Sequence, residues 1–195
     1  MTTLFANQLQ NSDDFSIRFG GGYADYRDLT EMVLGDFNIT KEYKVYNVEL
    51  GYRFIEDLWK FPFDLYLKGG VSYFDEHVQK DFMEMTLYVK LYWKMDFWQN
   101  RVRFGFGEGI SWAQRIPEME TIDATNWDGT VDDTHKFLNY LDISIDFDLG
   151  CLIGVNFLKD FYVGYTIKHR SGVFGTFDGV HGGSNYNMLT FEKNF

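Results

Sequence analysis

Two residue types are nearly missing from this chain, and one kind of segment is missing altogether. Only 2 prolines and a single cysteine, Cys151, occur in 195 residues. One thiol cannot form an internal disulfide, so the fold is not a cross-linked scaffold. No apolar run approaches the ~18 residues that a spanning helix needs, which excludes a helical membrane protein. The beginning, MTTLFANQLQNSDDF, has neither the basic start nor the apolar stretch of a signal peptide. It fits a cytosolic protein or a mature exported one whose signal has been removed. Positive charge is scarce too, and a net charge of -11 argues against a nucleic-acid backbone as partner.

What is plentiful is aromatic: 20 Phe, 13 Tyr and 5 Trp, with 19 Gly between them. These residues alternate with polar ones. In FLNYLDISIDFDLG the odd positions are Phe137, Asn139, Leu141, Ile143, Ile145, Phe147 and Leu149, and the even ones include Asp142, Ser144, Asp146 and Asp148. A strand sends successive side chains to opposite faces, so one face is greasy and the other acidic. The segment MTLYVKLYWKMDF repeats the pattern. Eight such segments are predicted, over residues 14–25, 43–54, 62–74, 84–98, 101–113, 137–150, 160–171 and 185–195. Short turns (IEDLWKFP, QN, VNFLK) alternate with longer connections at 26–42, 75–83, 114–136 and 172–184. That alternation, with strands long enough to cross a bilayer on a tilt, is the pattern of an outer-membrane barrel.

A soluble barrel of lipocalin type shares the period of two but puts its greasy face inside. Here the polar face collects Arg18, Glu49, Arg53, Asp64, Lys68, Lys90, Lys94, Asp96, Arg103, Asp142, Asp146, Lys168 and Glu192, both signs together. Such a mixture suits a narrow interior where charges pair. The terminal LTFEKNF keeps Phe195 on the parity of Leu189 and Phe191, resembling the assembly signal of Gram-negative outer-membrane proteins. The expectation is an all-β, eight-stranded antiparallel transmembrane β-barrel in a Gram-negative outer membrane. It is read as one domain over 1–195, with 1–13 a periplasmic segment, and as a monomer. In hydrocarbon only a closed sheet pairs every strand N–H and C=O, and eight strands leave an interior filled by side chains.

Strand seven, GYTIKHRSG, has its greasy row in Phe161, Val163, Tyr165 and Ile167 and ends that row with His169 and Ser171. Both termini are expected on the periplasmic side, so this strand runs outward. His169 then lies roughly 19 Å beyond Phe161 along the membrane normal, near the outer edge of the apolar band. Residues i and i+2 on one strand face are about 6.5–7 Å apart at Cα, within reach of each other's side chains. A histidine can take the proton of a serine hydroxyl near neutral pH and make it a nucleophile. The bland alternative is that polar residues are tolerated at the interface, where they cost ~0–1 kcal/mol.

The barrel pattern with His-x-Ser on the lipid-facing side of strand seven resembles the PagL-type lipid A 3-O-deacylases. The resemblance implies an outer-membrane esterase that removes an acyl chain from lipid A, or lipopolysaccharide, with a Ser nucleophile, a His base and an acidic residue orienting the His. It assigns these roles to Ser171 and His169, and implies no cofactor or metal. In that family an Asn commonly follows the serine, where this chain has Gly172, and a glutamate lies about a dozen residues on, near Gly183. Three residues stand as candidates for the missing third member. Asn187 and Asn185 are expected beside His169 and Ser171 if strands seven and eight pair across loop 172–184. Glu108 shares the lipid-facing parity of Phe104 and Phe106, although strand six intervenes and a bulge could turn it inward. Asp178 and His181 are weaker candidates.

Other features carry less. Lys168 and Arg170 point inward and are expected to pair with the Asp142, Asp146 and Asp148 row. The acidic loop PEMETIDATNWDGTVDDTHK is either solvated charge or a place for a divalent cation bridging lipopolysaccharide phosphates. The glycines at 20–22 and in strand five permit close packing, with no helix following to make a phosphate site. The competing functional class is a non-catalytic small barrel: structural, adhesive, or ligand-binding through its acidic loops.

Overall fold

The computed structural model describes residues 14–97, 100–125, 133–172, 180 and 183–195. The segment 1–13, expected in the periplasm, lies outside them. Eight strands, β1 (Phe15–Asp25), β2 (Ile39–Ile55), β3 (Phe63–Glu76), β4 (Phe82–Phe97), β5 (Asn100–Ala113), β6 (Phe137–Asp148), β7 (Phe161–Ser171) and β8 (Gly183–Asn194), pair in sequence order. β8 pairs antiparallel with β1, so the sheet closes on itself and leaves no edge. Among the described residues three short α-helices sit in the connections: α1 (Leu29–Val33), α2 (Glu118–Asp123) and α3 (Leu149–Ile153). Among the described residues no helix is long and apolar enough to cross a membrane.

The strand boundaries depart from the sequence pattern where local chemistry intervenes. β2 starts at Ile39, four residues early, because Ile39 and Thr40 pair with Asp25 and Ala24 beyond a register shift in β1. β6 stops at Asp148, two residues short, because its carboxylate accepts the Cys151 N–H at 2.9 Å and caps α3.

Polarity is inverted relative to a water-soluble barrel. Phe19, Leu50, Leu87, Trp93, Phe106 and Leu189 are exposed on the outer wall, whereas Arg18, Lys68, Lys90, Arg103, Asp142 and Glu192 are buried inside. An outer wall of this kind is stable only against lipid. Inside, the charges pair across the lumen. Arg18 Nη1 lies 3.1 Å from Asp142 Oδ2 and 3.6 Å from Glu49, and Lys90 binds the other oxygen of Asp142. Glu192 accepts from Lys68 Nζ at 2.5 Å, Tyr92 Oη at 2.8 Å and Arg103 Nη2 at 3.2 Å. The glycines of β5 make room for this layer: a Cβ at Gly107 would sit 2.7 Å from the Tyr88 ring. The periplasmic mouth opens on a vestibule of about 350 Å³ lined by Lys94, Arg101, Arg103 and Tyr162.

Lys168 and Arg170 do point inward, but they do not pair with the aspartate row of β6. Lys168 binds Glu84 on β4, and Arg170 lies 3.6 Å from Glu84 and 3.1 Å from Glu120 of α2. Asp142, directly beside Lys168 in register, is already taken by Lys90 and Arg18 from across the lumen. In an eight-strand interior, long side chains reach opposite walls as easily as neighbours.

Toward the outer mouth the interior turns apolar. Phe74 stacks on Phe82 with centroids 4.6 Å apart, and Tyr43, Val45, Tyr186 and Met188 join Met119 of α2 around them. α2 thus caps the mouth. Its Glu120 accepts from the Ser184 hydroxyl at 2.9 Å. Burial pushes the Glu120 carboxyl up from 4.5 to about 7, and the opposing pull of Arg170 and Ser184 does not offset it. A carboxyl that holds its proton more tightly docked than released favours docking below its ordinary range and loses that contribution as pH rises through about 7. Amide exchange across 118–123, corrected for intrinsic rate, should therefore show more frequent opening at pH 8 than at pH 6, and Glu120→Gln should abolish the difference.

Candidate functional site

β7 pairs without a register shift on either side, so His169 and Ser171 both stand on the outer wall, each half-buried. In register, His169 pairs with Leu141 of β6 and Asn185 of β8, and Ser171 with Asn139 and Gly183. The expected neighbours were Asn187 for His169 and Asn185 for Ser171, so the observed pairing is shifted by two residues. The hairpin ladder continues to Gly183, and both Gly172 and Gly183 meet backbone closely. A Cβ on Gly172 would lie 2.0 Å from the Val180 carbonyl oxygen, and one on Gly183 2.3 Å from that of Arg170. The asparagine and glutamate that the family resemblance places at these two positions would not fit this backbone.

His169 Nδ1 lies 2.6 Å from Asn185 Oδ1. The amide orientation is fixed from the far side, because Asn185 Nδ2 donates to the Arg27 carbonyl at 2.8 Å, and a carbonyl only accepts. Asn185 Oδ1 must then accept, so Nδ1 of His169 carries the proton and Nε2 keeps its lone pair. That is the tautomer of a general base. The Ser171 hydroxyl makes no hydrogen bond to His169 or to other described residues. Such contacts are often long until substrate arrives.

The Arg27 carbonyl comes from the β1–β2 connection, which folds over the outside of the barrel. Phe37 meets the Tyr165 ring edge-on at 6.1 Å, and Ile167, on the lipid-facing row, is only 4% exposed. Beneath this flap Asn187 accepts from the Tyr165 hydroxyl and donates to Asp25 Oδ2 at 2.6 Å. Asn187 is thus engaged with Tyr165 and Asp25, one register step from His169. Glu108 is not turned inward: β5 pairs without a bulge on both sides, leaving Glu108 exposed on the outer wall. It shares a transverse row with Leu141 and His169 and stands two strand spacings from the histidine, roughly 9.5 Å. Asp178 and His181 lie outside the described residues.

Sequence reasoning missed Asp25, Arg27 and Asn139. Asp25 had a legible signal, an acid on the lipid-facing parity of β1 near its outer end. Asn139 also had one, an amide interrupting the apolar row of β6 between Phe137 and Leu141. Arg27 acts through its backbone, which no side-chain pattern announces. No group of three or more potential ligands that could hold a metal occurs among the described residues.

No protein family and no curated protein matches the sequence. The fold does match solved structures. The outer membrane enzyme PagL superposes with a TM-score of 0.60 at 12% identity, over 92% of this chain and 99% of that one. The fold is that of an outer-membrane barrel. The N-terminal β-barrel domain of Pseudomonas aeruginosa OprF gives 0.54 at 11% identity over 95% and 100%, and Neisserial surface protein A gives 0.50 at 9% over 93% and 97%. At such identities the likeness establishes the fold alone. PagL is an outer membrane enzyme.

Proposed function

We propose that this chain is an outer-membrane serine esterase that hydrolyses an acyl ester of lipid A, acting as a single-domain monomer from its lipid-facing wall. The observation that carries the reading is the His169–Asn185 hydrogen bond beside Ser171. A histidine held in the basic tautomer on the outer wall has no role in barrel packing, and it faces the compartment where ester-linked acyl chains lie.

In this mechanism Nε2 of His169 takes the proton of Ser171 as Oγ attacks the ester carbonyl. The tetrahedral intermediate collapses, the carbon–oxygen bond to the sugar breaks, and His169 returns the proton to the leaving alcohol. Water, deprotonated by the same nitrogen, then releases the fatty acid and restores the serine. Asn185 holds the imidazole in place but, being neutral, does not balance the imidazolium charge. Asn139, beside Ser171 in register, offers an amide donor to the developing oxyanion.

A second reading, a non-catalytic barrel, draws on the absence of a Ser171–His169 hydrogen bond. Mass spectrometry of lipid A from cells making the protein separates the two. The esterase reading expects lipid A lighter by one acyl chain, with full-length lipid A in cells making Ser171→Ala. Unaltered lipid A in both would favour the second.

A further inference from the structure

Asp25 is a carboxylate on the lipid-facing row of β1, yet it is only 1% exposed, and among the described residues no cation pairs with it. Three N–H groups satisfy it instead. Oδ1 accepts from the backbone of Arg27 at 2.8 Å and of Asn38 at 2.9 Å, and Oδ2 accepts from Asn187 Nδ2 at 2.6 Å. One carboxylate oxygen thus pins both ends of connection 26–38, and the other ties that connection to β8. Tyr26 N–H, bonded to the Asn38 carbonyl at 3.1 Å, closes the base of the loop. The Arg27 carbonyl is left facing Asn185 Nδ2, and it is this contact that turns Asn185 Oδ1 toward His169.

We propose that Asp25 is a positioning residue for the site: by pinning the outer-wall flap 26–38 it presents the Arg27 carbonyl that orients Asn185, and so selects the tautomer of His169. A carboxyl group needs good reason to sit on a lipid-facing wall. Fixing the polarity of a neutral relay is one, because an asparagine, unlike an aspartate, can turn its donor end to the histidine and hold the wrong nitrogen. The kinetic arm of this inference rests on the esterase reading; the tautomer arm does not.

The test is ¹⁵N NMR of the His169 ring in detergent micelles, with hydrolysis of lipopolysaccharide measured in parallel and folding checked by heat-modifiable gel mobility. The native protein should show a single form protonated at Nδ1. Asp25→Ala should show mixed tautomers and a kcat about 100-fold lower, the size of effect that misplacement of a reacting group causes, with KM little changed. Asp25→Asn, a milder substitution that sets one donor against another, should move both readouts the same way by less. The decisive variant is Asp25→Ala combined with Asn185→Asp. Either carboxylate oxygen of an aspartate accepts from Nδ1 without the flap, so both tautomer and kcat should recover. A single Nδ1-protonated form in Asp25→Ala, or mixed tautomers persisting in the double variant, would overturn the proposal. Absence of hydrolysis in the native protein, with the tautomers behaving as described, would instead overturn only the esterase reading.

Discussion

Ser171→Ala and His169→Ala should each lower ester hydrolysis at least a thousandfold, and the double variant should be scarcely worse than either alone. Members of a nucleophile–base pair act as a unit, so removing one forfeits nearly all that the pair provides, in known cases about 10⁶-fold in kcat. The barrel should remain folded, since neither side chain enters the lumen or its ion-pair layer. Neither residue belongs to that layer, so the loss of stability should be small beside that of breaking a buried ion pair. Activity in the native protein should also fall on acidification, because an imidazolium cannot accept the serine proton. The measurement is single-turnover release of fatty acid from lipopolysaccharide micelles, with heat-modifiable mobility confirming the fold of each variant. Losses that multiply in the double variant would argue against a cooperating pair.

Glu192→Ala should have the opposite profile: a large loss of stability from a residue far from the candidate site. Its carboxylate holds Lys68 and Arg103 and accepts from Tyr92, with Arg18 Nε 4.0 Å away. Among these groups Arg103 has one other carboxylate in reach, Asp146 at 3.3 Å, and Arg18 has Asp142, Glu49 and Asp146. Lys68 has none among the described residues. Its ammonium would then be buried without a direct ion-pair partner, and breaking a buried pair from one side costs about 3–5 kcal/mol. The expected result is a clear drop in the urea concentration at which the micelle-bound barrel loses its folded gel mobility. Glu108→Gln, on the outer wall, should leave that midpoint nearly unmoved. A midpoint unchanged in Glu192→Ala would mean that water or neighbouring acids compensate, and that the interior is less tightly coupled than its geometry implies.

Much of the barrel could be read before any coordinates, and the reason is periodicity. One face of every strand meets lipid and the other a lumen filled by polar side chains, so alternation was strong enough to give strand number, closure and the outward parity of His169, Ser171 and Glu108. What could not be read depended on distance in sequence. Lys168 was expected to pair with its neighbours on β6 and instead crosses the lumen to Glu84. The register of β7 against β8 was off by two because it turns on Gly172 and Gly183 meeting backbone, a contact that parity does not encode. Asn185 and Asn187 could both be nominated, but only the ladder shows that Asn185 meets His169. The flap over the outer wall was the largest gap. Residues 26–42 read as one of the longer connections, and nothing local says that Asp25 draws its first part back across β8.

The central claim, that Ser171 is a histidine-activated nucleophile on the lipid-facing wall, is tested most directly by covalent trapping. An alkyl fluorophosphonate is attacked by an activated serine oxygen with loss of fluoride, leaving a stable phosphonyl ester on the enzyme. The purified barrel would be treated in micelles, weighed intact and mapped by peptide fragmentation. The expected result is a single adduct on Ser171, formed far more slowly in His169→Ala and not at all in Ser171→Ala. No adduct on the native protein, or one that persists in Ser171→Ala, would contradict the account.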